Sequence, residues 1–305
     1  MLNTPPSEDR QDRKRHPLER DPQPPPVPPS DEPPQAQRQR LTLHIATVKP
    51  YVVYAIIALN VLIFAVRALS PQIDQQLTQW GANVPLYVLQ NGEVYRLLTA
   101  MFLHLGVYNS FGGLALAGAL HIFLNMYILY GTGVRTEQVF GHARFAVIYL
   151  LGGLAGSALS AVFGAASDDL LTASLGASGA VFAVISARWV YLYKHRLLFG
   201  IGGRIEQARL AQFLAINLIF GLFTAIGTSS LGRIDNFAHI GGVLGGAALA
   251  WVISPFFVLR SHPDQQGRAV MAEDINPLQN HYREVTLFAI LLMALLIVAR
   301  LLYSP

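Results

Sequence analysis

The chain has 305 residues, of which 52% are apolar and only 13% are charged, and it contains no cysteine. This composition lies outside the usual balance for a soluble domain and predicts a membrane protein. The absence of thiols excludes disulfides, cysteine nucleophiles and cysteine-based metal sites. The net charge of +4 does not indicate a nucleic-acid partner, because the basic residues are spread over alternate connections between apolar runs.

Residues 1–45 hold most of the prolines, mixed with Arg, Asp, Glu and Gln. A segment of this composition cannot bury a core, so we expect a disordered tail that is partly polyproline II. It lacks the apolar region of a secretory signal and is too acidic for a mitochondrial presequence. A solvated spacer is the simpler interpretation, and a ligand for an SH3-type domain is the alternative.

Seven apolar runs follow, each close to the about 20 residues that a helix needs to cross roughly 30 Å of hydrocarbon. They lie near residues 51–69, 114–133, 143–164, 177–194, 210–228, 237–258 and 285–303. The predicted fold is therefore an all-α, polytopic bundle of membrane helices.

The basic residues predict the orientation of this bundle. Most Lys and Arg residues lie before the first run or in alternate connections, and only Arg67, Arg96, Arg233 and Arg300 fall on the opposite side. Because cytoplasmic loops carry the excess of Lys and Arg, we expect the N-terminus in the cytoplasm and the C-terminus outside.

The connection after the first span, about residues 71–113, is long, apolar and aromatic. Loops of more than about 15 residues are usually functional or disordered, and this composition argues against disorder. We expect short amphipathic helices that lie in the outer interface of the bilayer.

Four polar residues inside the spans are the candidate functional residues. Ser178 and His239 lie within about one turn of the outer ends of spans four and six, which both run inward. Span two also runs inward and carries His121 and Asn125, which share a helix face because they are four residues apart. All four side chains can therefore meet at one depth below the outer surface, as an active site requires.

These residue types suit acyl transfer. A serine needs a base to become a nucleophile, and a histidine is the side chain suited to that task at neutral pH. We therefore predict Ser178 as the nucleophile and His239 as its base. His121 and Asn125 can donate to the oxyanion of a tetrahedral intermediate, aided by the Ser178 backbone N–H at a helix N-terminus.

Smaller features support the same site. Gly176 and Gly179 let the backbone approach a substrate carbonyl, and Phe182, one turn below Ser178, is placed to pack against the imidazole. Each motif alone has an ordinary explanation. Gly-Ala-Ser-Gly and the pair Gly242 and Gly246 are typical of close helix packing, and an intramembrane histidine is often structural or a proton site.

Five motifs occur together within about residues 50–258: Gly176-Ala177-Ser178-Gly179, Ala238-His239 with Gly242 and Gly246, His121-xxx-Asn125, Gly92-Glu93-Val94-Tyr95-Arg96, and Glu137-xx-Phe140-Gly141. In this combination the chain resembles the rhomboid family of intramembrane serine proteases. Tyr95 stands where the family usually has Trp.

The resemblance implies a Ser178/His239 dyad with no acidic third member and an oxyanion and substrate site at His121, Asn125, Gly176 and the Ser178 amide. The implied reaction is cleavage of single-pass membrane proteins within or near their spans, without a cofactor or a metal. We assign Arg96 to anchoring the outer loop and Glu137 to holding the turn after span two, with ordinary interfacial charges as the alternative for both.

The resemblance also implies a six-plus-one arrangement of helices. The protease core would occupy residues 46–260, followed by a cytoplasmic linker at 261–284 and a seventh transmembrane helix at 285–305. The bacterial inner membrane is the expected location, so the lipid bilayer itself is an expected partner.

Three other functions are distinguishable by sequence. A catalytically silent relative that binds transmembrane clients would lack Ser178 or His239, and both are present. A transporter or proton channel that uses His121 and His239 as relays would show broken-helix repeats, which the sequence lacks. A metalloprotease would need a His-Glu-xx-His pair, which is also absent.

His104 is expected to be structural, with a role near the site as the alternative.

Overall fold

The computed structural model of the chain describes residues 42–108, 113, 115–226, 234–261 and 269–303. The described residues belong to one compact unit. Most of the predicted disordered tail, up to residue 41, and Arg233 of the predicted topology lie outside the described residues.

Helices make up most of this unit. They are α1 (Tyr51–Arg67), α2 (Pro71–Gly81), α3 (Arg96–Thr99), α4 (Leu116–Ile128), α5 (Val134–Phe140), α6 (His142–Ala166), α7 (Ser178–Lys194), α8 (Arg196–Ile226), α9 (Asn236–Ile253) and α10 (Tyr282–Tyr303). Each predicted span coincides with one of α1, α4, α6, α7, α8, α9 and α10. The predicted helical membrane bundle is therefore confirmed.

Most of the seven helices that coincide with predicted spans are long enough to cross a bilayer. Among the described residues, five helical segments are sufficiently long and apolar: Leu116–Phe140, His142–Ala166, Arg196–Thr224, Asn236–Ile253 and Leu278–Tyr303. α1 and α7 have 17 residues each, or about 26 Å at 1.5 Å per residue. A helix of this length that ends at one surface begins inside the hydrocarbon, which suits a partly buried serine at the start of α7.

Two predicted connections are helical instead. Residues 134–140, predicted as a turn, form α5, which continues α4 through the π-helical turn Leu129–Gly133. The connection expected between the spans at 177–194 and 210–228 is mostly the first part of α8, which is kinked at Gly200 with a φ of 52°. Neither segment contains proline, so both can form helix, with breaks in the second segment at His195 and Gly200.

The helices α6, α7 and α9 pack most closely. A Cβ atom at Gly242 would lie 2.1 Å from the Gly179 carbonyl oxygen, and one at Gly246 would lie 2.2 Å from the Ala183 carbonyl oxygen. Only glycine fits at such contacts, where one helix backbone lies directly on another. The glycines of α9 therefore set its distance from α7.

A small sheet joins the segment before α1 to the segment between α9 and α10. It consists of β1 (Thr42–Ile45), β2 (Phe257–Ser261) and β3 (Ala269–Asp274) in the order β1-β3-β2, with β1 parallel and β2 antiparallel to β3. The end of the predicted disordered tail and part of the predicted linker are therefore strands. This pairing brings the segment before α1 next to the segment after α9.

The connection between α1 and α4 is folded into short helices, as predicted. Ser70 caps α2 by accepting a hydrogen bond from the Ile73 N–H at 3.2 Å. The π-helical turn Leu86–Gln90 and α3 follow. Asn83 and Ser174 pair through two backbone hydrogen bonds of 3.0 and 2.8 Å, which joins this connection to the one before α7.

Candidate active site

A cavity of about 300 Å³ lies between α4, α6, α7, α8 and α9. Ser178 of α7, His239 of α9, and His121 and Asn125 of α4 all line it. The structure thus brings together the four polar residues that the sequence analysis placed at one depth. α8 forms another wall of the cavity with phenylalanine side chains and Asn217.

Ser178 is the first residue of α7, so its backbone N–H has no partner within the helix. Gly176, just before it, has a φ of 134° and donates its N–H to the Ala100 carbonyl at 2.9 Å. A Cβ atom on Gly176 would lie 3.0 Å from His121 Cε1 and 3.7 Å from Ser178 Oγ. The absence of a side chain therefore lets His121 and Ser178 approach the same point.

The imidazole of His239 is held by an aromatic ring. Phe182 stacks on it, with the ring centroids 4.1 Å apart and the planes at 11°, so the predicted packing of these two side chains is observed. His239 is buried, and its Nδ1 has no hydrogen-bond partner among the described residues. In this part of the chain the ring is therefore oriented by stacking rather than by a carboxylate.

Asp235 is the acidic residue nearest to His239 in sequence, but its oxygens are used elsewhere. Oδ1 accepts the Ala238 N–H at 2.9 Å and so caps α9, while Oδ2 accepts a hydrogen bond from the Ser160 hydroxyl of α6. The carboxylate thus fixes the first turn of α9, on which His239 is carried, and ties that turn to α6.

His121 is positioned by a backbone group from the outer connection. Its Nδ1 accepts the Leu105 N–H at 3.3 Å. A neutral imidazole that accepts at Nδ1 carries its proton on Nε2, and Nε2 lies 3.2 Å from the position of a Cβ on Gly176. The donor of His121 is therefore on the side of Ser178.

Asn125 lies one turn farther along α4. Its Nδ2 donates to the His121 carbonyl at 2.9 Å. A primary amide has two N–H groups, so this bond fixes the side chain and leaves a second donor for a ligand in the cavity.

Arg96 anchors the outer connection, the role that the sequence analysis assigned to it. The guanidinium donates to the Glu93 carboxylate at 2.7 Å and to the carbonyls of Gln79 and Ala82 at 2.7 and 3.1 Å. It also lies over the Tyr87 ring, 4.7 Å from the centroid. The hydrogen bond from Arg96 lowers the pKa of the Glu93 carboxyl, and the same contacts tie α3 to the end of α2.

Glu137 supports a different part of the bundle. Its carboxylate is buried and accepts the N–H groups of Val52 and Val53 at 2.9 and 2.7 Å, while His142 Nδ1 lies 2.5 Å from Oε1. The first N–H groups of a helix lack intrahelical partners, so Glu137 caps α1 from α5. Neither Arg96 nor Glu137 lines the cavity.

The sequence analysis missed a buried ion pair beside the cavity. Arg67, the last residue of α1, donates through Nε to Asp74 Oδ1 at 2.7 Å and through Nη1 to the His104 carbonyl at 2.6 Å. The sequence feature that indicates this ion pair is an arginine at the outer end of a span, followed by an aspartate in the first turn of the next helix. The distribution of basic residues between the two sides does not by itself identify this partner of Arg67.

His104 is buried beside His121, and their rings meet edge to face with centroids 5.2 Å apart. Both ring nitrogens of His104 lack a partner among the described residues. Burial, with smaller effects from His121 and Arg67, lowers the pKa of His104 to about 3. The ring is therefore neutral at physiological pH and packs against an edge of the site.

Comparisons with known proteins place the chain among related sequences. The model of the Rhomboid domain matches residues 91–256. The chain is 36% identical over 166 residues to RHOMBOID-like protein 6, mitochondrial, of Arabidopsis thaliana, which covers 54% of this chain and 46% of that protein. It is 32% identical over 200 residues to Rhomboid protease GluP of Bacillus subtilis, which covers 65% of this chain and 34% of that protein.

A third relative is named as inactive. The chain is 30% identical over 190 residues to Inactive RHOMBOID-like protein 8 of Arabidopsis thaliana, which covers 61% of this chain and 46% of that protein. In all three comparisons the matched region spans less than half the length of the relative.

Proposed function

The chain belongs to the rhomboid family, and from that premise we propose that it is an intramembrane serine endopeptidase with a Ser178/His239 dyad. The observation that carries the proposal is the shared cavity, in which Ser178, His239, His121 and Asn125 meet. Stacking of Phe182 on His239 gives the ring a fixed orientation without a third acidic residue.

In the proposed reaction, Ser178 Oγ attacks the scissile carbonyl carbon while His239 accepts the hydroxyl proton. The tetrahedral intermediate collapses as His239 gives this proton to the leaving amine, which leaves an acyl-enzyme at Ser178. Water then attacks the carbonyl carbon of the acyl-enzyme while His239 accepts its proton. Return of that proton to Ser178 Oγ releases the carboxylic acid. No cofactor or metal is required for these steps.

The oxyanion of each intermediate would be stabilised from α4 and from the start of α7. His121 offers its Nε2–H, Asn125 offers its second amide N–H, and Ser178 offers its backbone N–H. Such donors are effective because they are already oriented before charge develops. Gly176 leaves the space between His121 and Ser178 free for the substrate carbonyl.

The proposed substrates are single-pass transmembrane proteins. A helical peptide bond has its carbonyl hydrogen-bonded and sterically covered, so a substrate helix must unwind before Ser178 can attack it. We therefore expect small or helix-breaking residues near the outer end of the substrate span.

The protein is an integral membrane protein with several apolar helices. We propose a cytoplasmic N-terminus and an outer C-terminus from the distribution of basic residues. The relatives include plant proteins, one of them named mitochondrial, as well as a Bacillus protein. They do not favour the predicted bacterial membrane over an organellar one.

A second candidate is a catalytically silent protein that binds transmembrane clients. One relative that is 30% identical to the chain is named inactive, so family membership alone does not imply catalysis. The presence of both Ser178 and His239 in one cavity favours the protease.

The direct test is cleavage of a tagged single-pass reporter in liposomes by wild type, Ser178→Ala and His239→Ala. We expect wild type to cut the reporter near the outer end of its span and both variants to lose this activity. Equal cleavage by wild type and Ser178→Ala would rule out the serine protease. Reporter capture without cleavage by wild type would favour the client-binding protein.

A further inference from the structure

We propose that the buried ion pair of Arg67 and Asp74 positions the oxyanion donor His121. This inference rests on the proposed function and extends it to two residues that do not line the cavity. The physical link is residues 104–107, called here the bridging segment, which lies between the ion pair and the imidazole of His121.

The guanidinium of Arg67 is fully buried and makes contacts in three directions. Nε donates to Asp74 at 2.7 Å, Nη2 to the Thr78 hydroxyl at 2.9 Å and Nη1 to the His104 carbonyl at 2.6 Å. A guanidinium presents its donors in a rigid planar fork. Fixing Arg67 against α2 therefore also fixes the position of the first residue of the bridging segment.

Asp74 holds the other end of the bridging segment. Its Oδ1 is bound by Arg67, and its Oδ2 accepts the Val107 N–H at 3.0 Å. The ion pair therefore grips the chain at His104 and at Val107, on both sides of Leu105. Leu105 is the residue whose N–H donates to His121 Nδ1 at 3.3 Å.

The opposite face of the bridging segment lies directly on α4. A Cβ atom at Gly118 would lie 2.3 Å from the Gly106 carbonyl oxygen and 2.8 Å from the Leu105 carbonyl oxygen. Gly118 is three residues before His121 and so lies on nearly the same helix face. The bridging segment is thus held between the ion pair and the first turn of α4.

This arrangement selects one tautomer of His121. The Leu105 N–H is a donor, so it pairs only with an unprotonated Nδ1, and the ring proton then resides on Nε2. If the bridging segment moved, the tautomer with the proton on Nδ1 would become accessible. Nε2 would then be an acceptor, which cannot stabilise an oxyanion.

The test compares Arg67→Met and Asp74→Asn with the control Arg188→Met. Arg188 also forms a largely buried ion pair, with Glu206 at 3.0 Å, and does not line the cavity. For both test variants we expect kcat to fall about 10- to 100-fold, because small misplacements of catalytic groups have effects of this size. KM should change by less than about two-fold, because the lost interaction acts in the transition state. Arg188→Met should keep the wild-type kcat.

A second readout reports the tautomer directly. In protein labelled with 15N-histidine, the His121 signals of wild type should show an unprotonated Nδ1 and a protonated Nε2. Arg67→Met and Asp74→Asn should show a mixture of tautomers, and Arg188→Met should match wild type. Asp74→Asn keeps a side-chain oxygen and leaves Arg67 in place, so it provides a folded test if Arg67→Met fails to fold.

Wild-type kcat together with an unchanged His121 tautomer in a folded Arg67→Met or Asp74→Asn variant would overturn this inference. An equal loss of kcat in Arg188→Met would also overturn it, because any buried ion pair would then have the same effect. Failure of the proposed function would look different. Ser178→Ala would then cleave like wild type, while the NMR signals would still report whether the ion pair controls His121.

Discussion

The two sides of the candidate active site are held by different forces. α7 and α9, which carry Ser178 and His239, meet through glycines with one backbone directly on the other. The outer connection, which contacts His121, is held by buried charged side chains such as Arg67 and Arg96. The nucleophile and base are thus fixed mainly by shape, whereas the outer connection that contacts His121 is fixed mainly by directional hydrogen bonds.

The largest effect is expected at the closest backbone contact between α7 and α9. In Gly242→Val the new Cβ would lie 2.1 Å from the Gly179 carbonyl oxygen, so α9 must move away from α7. Overpacking of this kind costs about 1–3 kcal/mol of stability, and a displacement of about 1 Å costs about 100-fold in rate. Reporter cleavage and thermal unfolding would measure both losses.

Gly202→Ala is the matched control, because a Cβ on Gly202 meets nothing within 4 Å. It should retain wild-type cleavage and stability. Full activity of Gly242→Val would show that α9 need not lie this close to α7.

A smaller effect is expected from Phe182→Leu, which removes the stacking contact with His239 but keeps an apolar side chain. Aromatic pairs contribute about 0.5–1.5 kcal/mol beyond their buried area, which corresponds to about a 2- to 10-fold loss of kcat. Trp189→Leu is the control, because Trp189 stacks on Tyr193 at the other end of α7 and does not line the cavity. Equal kcat losses in both variants would argue that general packing, not the orientation of His239, is responsible.

Arg96→Met tests the outer connection through stability rather than chemistry. The variant loses the charged hydrogen bonds to Glu93 and to the backbone of Gln79 and Ala82. The hydrogen bond from the charged guanidinium to the buried Ala82 carbonyl contributes about 1.5–3 kcal/mol, so the unfolding temperature should fall while cleavage by the folded fraction changes less. Arg204→Met, at an exposed position of α8, should leave the unfolding temperature unchanged.

The smallest effect is a pH dependence at the same contact. The hydrogen bond from Arg96 lowers the pKa of Glu93 from its ordinary value of 4.5. The contact therefore stabilises the folded protein above that pH, and this contribution is lost as the pH falls through the lower folded-state pKa. Exposure keeps the effect small.

The unfolding temperature, measured from about pH 6 down to pH 3, should therefore fall slightly more steeply in wild type than in Glu93→Gln. Identical pH profiles of the two proteins would show that the ionised Glu93 carboxylate adds nothing to the stability of the outer connection.

The helices were predictable because each span is apolar over the thickness of a bilayer. The sequence also predicted that four polar residues lie close together, because the alternating direction of the spans puts the outer halves of these spans at one depth. These residues are Ser178, His239, His121 and Asn125. Chain direction and hydrophobicity alone carry that information.

The remaining features depend on contacts between distant segments. β1 pairs with β3, which lies near the other end of the chain, and no local pattern in Thr42–Ile45 identifies that partner. The Arg67–Asp74 pair required knowing that α2 folds back on the end of α1. The charged residues of α5 are typical of a turn at the end of a span, whereas the helix continues through them.

The most direct test of the dyad is covalent labelling of the intact protein in liposomes with a fluorophosphonate probe. Attack by Ser178 Oγ on phosphorus would expel fluoride and leave a stable adduct that peptide mass spectrometry can locate. We predict a single adduct on Ser178 that is absent in Ser178→Ala and strongly reduced in His239→Ala. An adduct on a different serine, or undiminished labelling of Ser178 in His239→Ala, would contradict the Ser178/His239 dyad.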